Sequence, residues 1–250
     1  MAEKVLVVTG GGRGIGAAVA EQAAAAGYRV AVNYLHDKAS ADTVVRNIKK
    51  AGGKAVAIMG DVSKEADVVK LFDEAARQLG PITHVVNNAG NTGRSSRLDA
   101  ADPSVIRACI DLNVTGAMLV AREAVRRMAP RHGGSGGAIV NISSAAASIG
   151  SPGEYVWYAA SKGAIDALTI GLAKEVAEDR IRVNAVAPGM IETEIHELST
   201  GDGARKERIR PMIPLKRIGE PREVADTVLF LLSETSSYTT GAVLRVAGGR

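Results

Sequence analysis

The stretch KVLVVTGGGRGIG (residues 4–16) decides the fold, because an apolar β-branched run passes directly into a glycine-rich turn. The run predicts a buried strand, and the Ala-rich residues that follow it predict a helix. Gly10 permits the tight turn, Gly14 lets the backbone approach a pyrophosphate, and Gly16 allows the helix to pack closely. A phosphate would then lie at the helix N-terminus, where backbone N–H groups point outward. This arrangement predicts a dinucleotide site.

Short β-branched runs alternate with longer Ala-rich stretches along the chain, which is typical of βα units on a parallel sheet. Seven runs are predicted as strands, most of them apolar almost throughout, at residues 4–9, 28–34, 54–60, 83–89, 137–143, 180–187 and 241–247. The helices are predicted at residues 15–26, 39–51, 65–79, 103–128, 155–177 and 220–232. The pattern predicts a single α/β domain over residues 1–250, with a doubly wound parallel sheet of about seven strands and helices on both faces.

Composition and charge limit the class of protein. The 250 residues are 46% hydrophobic and 23% charged, which is enough for one soluble domain with a sizeable core. The net charge of +4 comes from basic residues that are mixed with acids, so it is weak evidence for nucleic-acid binding. The single cysteine, Cys109, fits a reducing compartment, and the four histidines lack metal-ligand spacing. With neither a signal-peptide pattern nor an apolar run of membrane-spanning length, we expect a cytoplasmic protein without a structural metal, membrane anchor or nucleic-acid partner.

One stretch, residues 188–214, breaks the alternation of strands and helices. It is long, charged and irregular, and it follows the end of a strand, where open α/β sheets bind ligands. We interpret it as a mobile substrate lid. Its basic part, residues 204–210, contains no aromatic residue on which a base could stack, so it does not favour single-stranded nucleic acid.

The spacing Gly-x-x-x-Gly-x-Gly, together with five later motifs, resembles the short-chain dehydrogenase/reductase family. The motifs are NNAG at residues 87–90, LNV at 112–114, NISS at 141–144, YAASK at 158–162 and APG at 187–189. The resemblance covers nearly the whole chain, and it implies a Rossmann-like fold and a nicotinamide-dependent reaction at a carbon that bears oxygen. It also implies a homo-oligomer, either a tetramer or a dimer, although Ala247 stands where the family more often has an acid.

Two tyrosines precede a lysine in YVWYAASK (residues 155–162), and the two differ in their distance along the sequence from that lysine. Tyr158 and Lys162 are four positions apart and lie on one face of the predicted helix, whereas Tyr155 does not. An ammonium about 4 Å from a phenolate contributes on the order of 4 kcal/mol at an effective dielectric constant of 20. We therefore expect Lys162 to lower the pKa of Tyr158 towards neutral pH, so that Tyr158 serves as general acid and base. Tyr155 and Trp157 are predicted to be either packing residues or residues of the pocket wall.

The resemblance implies roles for other residues near this pair. Ser144 is predicted to hold the substrate oxygen, with Ser143 as the alternative because the interval to Tyr158 is one residue longer than is common in the family. Lys162 is also predicted to hold the nicotinamide ribose. Asn113 is predicted to hold a water that links the lysine to solvent, or to bond as a buried amide at a helix kink.

The cofactor is predicted to be NADP(H) rather than NAD(H). An acid at the end of the second strand would accept the ribose hydroxyls of NAD, but Asn33 and Tyr34 occupy that place. Arg13 can reach the same corner and resembles the basic residue of NADP-dependent members, the alternative being a solvated loop charge. Asp61 resembles the adenine contact of the family, or it caps the following helix. The predicted cofactor site comprises Gly10, Arg13, Gly14, Ile15, Gly16, Asn33, Tyr34, Asp61, Val62, Asn88, Ala89, Gly90, Tyr158, Lys162, Pro188, Gly189, Ile191 and Thr193.

The predicted reaction is NADPH-dependent reduction of a ketone such as a 3-oxoacyl thioester. One alternative within the family is a sugar or polyol dehydrogenase. Another is a binding protein that senses NADP(H) without turnover, which the set Asn113, Ser144, Tyr158 and Lys162 disfavours. A basic cluster, Arg126, Arg127 and Arg131, would either dock an acidic acyl-carrier protein or complement a helix dipole.

Overall fold

The computed structural model describes residues 3–194, 201–202 and 204–250. Within these residues, seven parallel strands form one sheet in the order β3-β2-β1-β4-β5-β6-β7. The strands are β1 (Val5–Val8), β2 (Arg29–Tyr34), β3 (Lys54–Met59), β4 (His84–Asn87), β5 (Gly137–Ile142), β6 (Ile181–Pro188) and β7 (Val243–Val246).

Helices connect successive strands and cover both faces of the sheet. They are α1 (Gly14–Ala25), α2 (Lys38–Lys50), α3 (Glu65–Leu79), α4 (Pro103–Ile110), α5 (Ala117–Met128), α6 (Ala146–Ile149), α7 (Val156–Glu175), α8 (Arg205–Ile209) and α9 (Pro221–Leu232). Short 3-10 turns lie at Leu98–Ala100, Pro130–His132, Ala177–Asp179, Arg210–Met212 and Glu234–Ser236.

The apolar core consists of two layers on opposite sides of the sheet. Helices α1, α2 and α9 pack on one side, with Val19, Val45 and Val228 buried in that layer. Helices α3, α5 and α7 pack on the other side, where Phe72 is fully buried. The strand order reverses beside β1, which pairs with β2 and β4, and ligands bind at such a switch point. The predicted Rossmann-like, doubly wound α/β fold is therefore confirmed.

The helix predicted over residues 103–128 is not a regular α-helix throughout. Between α4 and α5 the chain forms a π-helical turn, Asp111–Gly116, which turns Asn113 into the protein interior. Single π turns occur frequently at functional sites, where the extra residue in the turn redirects side chains. The sequence periodicity could not predict the turn, since the hydrophobic pattern continues on both sides of it.

The expectation that no apolar run is long enough for a membrane needs one correction. The helical stretch Pro103–Met128 passes that test by length and composition alone. In the structure its inner face is buried against the sheet, with Val120, Ala124 and Met128 all in the core. A core helix of a globular domain has the same composition, so the stretch is accounted for by packing.

The described residues of the predicted lid, 188–194, 201–202 and 204–214, are more regular than expected. Pro188 ends β6, Ile191 forms an isolated parallel bridge with Gly219, and α8 follows. Ile209 and Ile213 pack with Met190 in a small apolar cluster. Residues 195–200 and 203, which belong to the same predicted segment, lie outside the described residues.

Candidate active site

The glycine turn leaves the first turn of α1 accessible to an anionic ligand. Gly10 and Gly14 have φ values of +60° and +54°, which L side chains rarely adopt. A Cβ on Gly16 would lie 2.4 Å from the Gly10 carbonyl oxygen, so the helix packs directly on the turn. The N-cap residue, Arg13, makes no side-chain capping bond to the helix. The residues present therefore fit a dinucleotide. Its pyrophosphate would accept hydrogen bonds from the backbone N–H groups of the first turn of α1.

The NNAG segment is bonded to the same turn. The Asn88 side-chain amide donates to the carbonyl oxygens of Thr9 and Gly10, at 2.9 and 3.1 Å. The Thr9 hydroxyl in turn accepts from the backbone N–H groups of Asn88 and Ala89. The ends of β1 and β4 therefore form one rigid wall, and Ile15, Asn88 and Gly90 line the cleft beside it.

Asn33 lies at the end of β2 as predicted, but its side chain is turned into the protein. Its side chain is only 2% exposed, its Oδ1 accepts from the Gly10 N–H at 3.2 Å, and its Nδ2 donates to the Gly60 carbonyl oxygen at 3.0 Å. Because the amide is buried and bonded to backbone, Asn33 braces the glycine turn and does not present its side chain to a ribose. Tyr34, the next residue, remains partly exposed at the end of β2.

Asp61 and Val62, two neighbouring residues of the predicted cofactor site, also have internal contacts. The Asp61 carboxylate accepts hydrogen bonds from the Ser63 N–H and hydroxyl, at 3.1 and 2.7 Å, shortly before α3 begins. Both contacts lie within the turn before α3, whose N-cap residue is Lys64 and has no side-chain capping bond, so Asp61 does not cap that helix. The Val62 side chain is buried in the core, so only its backbone can face a cofactor.

Arg13 lies at the corner between the glycine turn and the end of β2. Its side chain is largely exposed, and its guanidinium lies 3.6 Å from the Glu194 carboxylate. Hydrogen bonds from Ser40, and more weakly the charge of Arg13, lower the pKa of Asp37, which places Arg13 near the start of α2. Asp37 is an acid in this corner that the sequence analysis did not consider. It caps α2 by accepting from the Ser40 N–H at 2.9 Å.

Ser144, Tyr158 and Lys162 line one cleft of about 520 Å³ at the carboxyl ends of β5 and β6. The hydroxyls of Ser144 and Tyr158 are hydrogen-bonded. Ser143 is directed elsewhere, because its buried hydroxyl donates to the Lys162 carbonyl oxygen and to Asp166. Of the two serine candidates, the structure therefore brings Ser144 to Tyr158.

The pKa values of the tyrosine and lysine differ from the expectation. Burial raises the pKa of Tyr158 to about 12, although the hydrogen bond with Ser144 acts in the opposite direction. Burial also lowers the pKa of Lys162 to about 8. The Lys162 ammonium lies 5.6 Å from the centre of the Tyr158 ring, and it donates to the Ile142 carbonyl oxygen at 2.7 Å. The expected fall in the pKa of Tyr158 is wrong for this geometry, because burial of the phenol is the largest influence on its pKa and the ammonium is bonded to backbone.

Asn113 is buried in the π turn, beside Lys162. Its amide accepts from the Asn91 N–H and donates to the Asn91 carbonyl oxygen, both at 2.8 Å, and it donates to the Ser161 hydroxyl at 3.0 Å. A Cβ on Gly90 would lie 3.1 Å from the Asn113 Oδ1 and 3.6 Å from the Lys162 Nζ. This placement matches the buried amide at a helix kink, which is compatible with the predicted role of holding a water.

The segment after β6 forms the opposite wall of the cleft. Pro188, Gly189, Ile191 and Thr193 all line it. A Cβ on Gly14 would lie 3.3 Å from the Thr193 Cγ2, so this wall approaches the glycine turn. A Cβ on Gly189 would lie 2.7 Å from that of Ala247, which leaves little room for a larger side chain at either position.

Comparison with known proteins shows the family to which the chain belongs. The chain matches, over residues 10–250, the family model described as enoyl-(acyl carrier protein) reductase. It is 48% identical to the uncharacterized oxidoreductase YgfF of Escherichia coli over 98% of this chain and 99% of that protein. The chain belongs to the short-chain dehydrogenase/reductase family. It is therefore an oxidoreductase.

Two further relatives of the family differ in their named substrates. The chain is 39% identical to glucose 1-dehydrogenase 2 of Bacillus subtilis, over 98% of this chain and 94% of that protein. It is 37% identical to the 3-oxoacyl-[acyl-carrier-protein] reductase FabG of Staphylococcus epidermidis, over 98% of both. A short-chain dehydrogenase from Burkholderia cenocepacia in complex with NADP superposes with a TM-score of 0.91 at 33% identity, over 98% of this chain and 97% of that one.

In this member of the family, Tyr155 is held in the cleft wall as predicted, but by residues that sequence reasoning missed. Its phenol oxygen accepts a hydrogen bond from Arg205, and Glu154 accepts two from the same guanidinium. Burial raises the pKa of Tyr155. Nearby, the Trp157 indole donates to the Thr92 carbonyl oxygen at 2.8 Å. No local pattern could have indicated Arg205, since it lies about 50 residues from its partners.

The basic cluster at the end of α5 is paired with acids. Arg127 contacts Glu123 at 2.7 Å and Asp73 at 2.8 Å, and Arg126 lies 3.7 Å from Glu123. Arg131 is paired with Asp179. These ion pairs offset much of the positive charge that would attract an acidic carrier protein.

Proposed function

We propose that this enzyme transfers a hydride between NADP(H) and a carbonyl carbon or secondary alcohol, with ketone reduction as its main reaction. One observation carries the proposal. Ser144, Tyr158 and Lys162 line a single cleft that extends to Ile15, at the start of α1 and beside the glycine turn. This arrangement puts a hydrogen-bond donor and a proton donor within reach of one substrate oxygen, next to the site for a dinucleotide.

Each residue has a distinct task in the proposed reaction. Ser144 donates a hydrogen bond to the substrate oxygen, and Tyr158 gives that oxygen a proton during reduction. Lys162 holds the nicotinamide ribose and keeps positive charge near the phenol. Asn113 positions the loop at Asn91. The nicotinamide, when bound, supplies or accepts the hydride, which no side chain can do.

The proposed substrate is a ketone of the 3-oxoacyl thioester type. Ile149, Ile209 and Met212 line the cleft, and their apolar surface suits an acyl chain better than a polyhydroxylated sugar. The relative FabG is named for a 3-oxoacyl substrate, whereas glucose 1-dehydrogenase 2 represents the alternative. Because the cluster at Arg126, Arg127 and Arg131 is paired with acids, we propose a thioester that needs no docked carrier protein.

The reaction is tested by incubating the purified protein with NADPH and 3-oxoacyl thioesters or simple ketones, and with NADP⁺ and glucose or polyols. We expect oxidation of NADPH that depends on the thioester. Tyr158→Phe should lower kcat by about 10²- to 10⁴-fold and leave the Kd for NADPH within about twofold. Tyr238→Phe, at an exposed tyrosine outside the cleft, is the matched control. Unchanged turnover in Tyr158→Phe would contradict the proposal, and NADPH binding without any turnover would favour a sensing protein.

The preference for NADP(H) over NAD(H) is proposed from Arg13 and from the absence of an acid at the end of β2. The Burkholderia structure with NADP supports it. Arg13→Ala should raise the Kd for NADPH about tenfold or more, because a guanidinium binds a 2'-phosphate directly. The Kd for NADH should change by less than about threefold, and Arg46→Ala, on the exposed side of α2, should change neither. An equal loss of affinity for NADPH and NADH in Arg13→Ala would contradict the proposed preference for NADP(H).

We also propose that the enzyme works in the cytoplasm as a homo-oligomer, a dimer or a tetramer. Met118 of α5 and Ile170 of α7 are each 44% exposed on the face of the sheet that α3, α5 and α7 share. Large apolar side chains on one exposed face favour burial against a second copy.

A further inference from the structure

Arg205 extends from the segment 204–213, which contains α8, to the residues that precede α7 on the other side of the cleft. Its Nε and Nη2 donate to the two carboxylate oxygens of Glu154, at 3.0 and 2.6 Å. Its Nη2 also donates to the phenol oxygen of Tyr155. The three side chains all line the cleft that contains Tyr158. We call Glu154, Tyr155 and Arg205 the latch.

The latch is an ion pair in a sheltered position. Arg205 is only 5% exposed, so its charge is costly to bury without a partner. The paired donation to one carboxylate is the strong geometry for arginine, and the Arg205 hydrogen bonds lower the pKa of Glu154. Exposed ion pairs contribute about 0–1 kcal/mol, but removal of one partner from a buried pair leaves a charge without compensation. The contact is therefore sensitive to loss of either partner.

The latch also contacts the proposed catalytic tyrosine through Tyr155. The rings of Tyr155 and Tyr158 meet edge to face, with centres 5.5 Å apart and an angle of 87° between their planes. The Arg205 guanidinium lies 5.6 Å from the centre of the Tyr155 ring. Tyr155 is the N-cap residue of α7, so its position also determines where the first turn of that helix begins.

We propose that the latch holds the segment 204–213 against the cleft and fixes the orientation of Tyr158, which makes Arg205 a positioning residue. The proposal rests on the proposed role of Tyr158 as proton donor. Substrate binding requires the segment, and proton transfer requires the orientation of the phenol. Loss of the latch therefore affects the substrate step and leaves the binding of cofactor at the glycine turn intact.

The test compares Arg205→Met and Arg205→Lys with Arg210→Met, which changes an exposed arginine of the same segment. In the NADPH assay, Arg205→Met should lower kcat/KM about tenfold or more, with a raised KM and a Kd for NADPH within about twofold. Arg205→Lys should recover part of the loss because one charged contact remains. Arg210→Met should match the wild type. A kcat/KM of Arg205→Met within about twofold of the wild type would overturn the proposal.

A second experiment does not depend on turnover and covers the case in which Arg205→Met fails to fold. Glu154→Gln keeps the shape of the carboxylate side chain but removes its charge. Trypsin should cleave after Lys206 and Arg208 several times faster in Glu154→Gln than in the wild type, with thermal unfolding measured as a control for global stability. Equal cleavage rates in two folded proteins would overturn the latch.

The charge-reversed double variant Arg205→Glu/Glu154→Arg separates pairing from simple loss of packing. It should have a kcat/KM at least about threefold above that of either single variant. If the double variant shows no such recovery, the result contradicts pairing. The failures of the two proposals are distinguishable. An active Tyr158→Phe variant contradicts the proposed function, whereas an inactive Tyr158→Phe together with a fully active Arg205→Met contradicts only the latch.

Discussion

Lys162 is almost completely buried beside Tyr158, and burial determines the protonation of both side chains. Neither the phenolate nor the ammonium is favoured in a site with little water, so the pKa of the tyrosine rises and that of the lysine falls. The Lys162 ammonium donates a hydrogen bond to the Ile142 carbonyl oxygen, which offsets part of the cost of burying its charge. At the residue scale, the cleft therefore contains a protonated donor and a cation whose charge depends on pH near 8.

A pH dependence of stability follows from Lys162. Its pKa in the folded protein is about 8, below the value of roughly 10.4 expected in the unfolded chain. In the interval between these values the unfolded chain binds more protons, so stability rises with pH. Between about pH 8 and pH 10 the free energy of unfolding of the wild type should increase, relative to Lys162→Met, by roughly 2 kcal/mol. Urea unfolding at both pH values measures the free energy of unfolding of the two proteins. If that free energy changes equally with pH in the wild type and in Lys162→Met, the pKa of Lys162 is not lowered.

At the element scale, the glycine turn and α1 act as one unit. A Cβ on Gly16 would lie 2.4 Å from the Gly10 carbonyl oxygen and 2.6 Å from the Asn88 Nδ2. Any side chain there must push the helix away from the turn or displace the amide that joins β1 to β4. Either movement changes the positions of the backbone N–H groups that would bind the pyrophosphate.

Gly16→Ala should raise the Kd for NADPH about tenfold or more and destabilise the protein by about 1–3 kcal/mol, the usual cost of overpacking. Gly163→Ala, in α7, is the matched control because a Cβ there meets nothing within 4 Å. We expect it to be neutral or to stabilise by about 0.5–1 kcal/mol, since alanine is the better helix former. Fluorescence titration with NADPH and thermal unfolding measure both effects. Wild-type affinity in Gly16→Ala would contradict the role of the turn.

At the scale of the whole molecule, both layers of helices expose large apolar side chains, and Phe230 of α9 is 44% exposed on one of them. The layer of α3, α5 and α7 presents Met118 and Ile170 to solvent, each 44% exposed. Because each side chain is already more than half buried, covering the rest against a second copy contributes roughly 0.7–1.3 kcal/mol for each. Symmetric pairing would repeat that contribution on the second subunit.

We therefore expect sedimentation equilibrium to give a mass above that of the monomer for the wild type. The double variant Met118→Lys/Ile170→Lys should shift the protein towards smaller species, because two buried ammonium groups per subunit are costly. Leu98→Lys changes an exposed leucine outside α5 and α7 and should leave the mass unchanged. A monomeric wild type, or a double variant of unchanged mass, would show that this face is not the interface.

The sequence by itself determined the order of strands and helices, the glycine turn and the pair formed by Tyr158 and Lys162. These features depend on residues close together in the chain, where periodicity, glycine conformation and the helical repeat act directly. Tertiary structure alone decided the inward placement of Asn33, the hydrogen bond from Lys162 to Ile142, and the latch between Arg205 and Glu154. These contacts join residues about 20 to 50 positions apart, so they form only when packing brings separate elements together. Burial then determines which polar groups need a partner, and no local pattern carries that information.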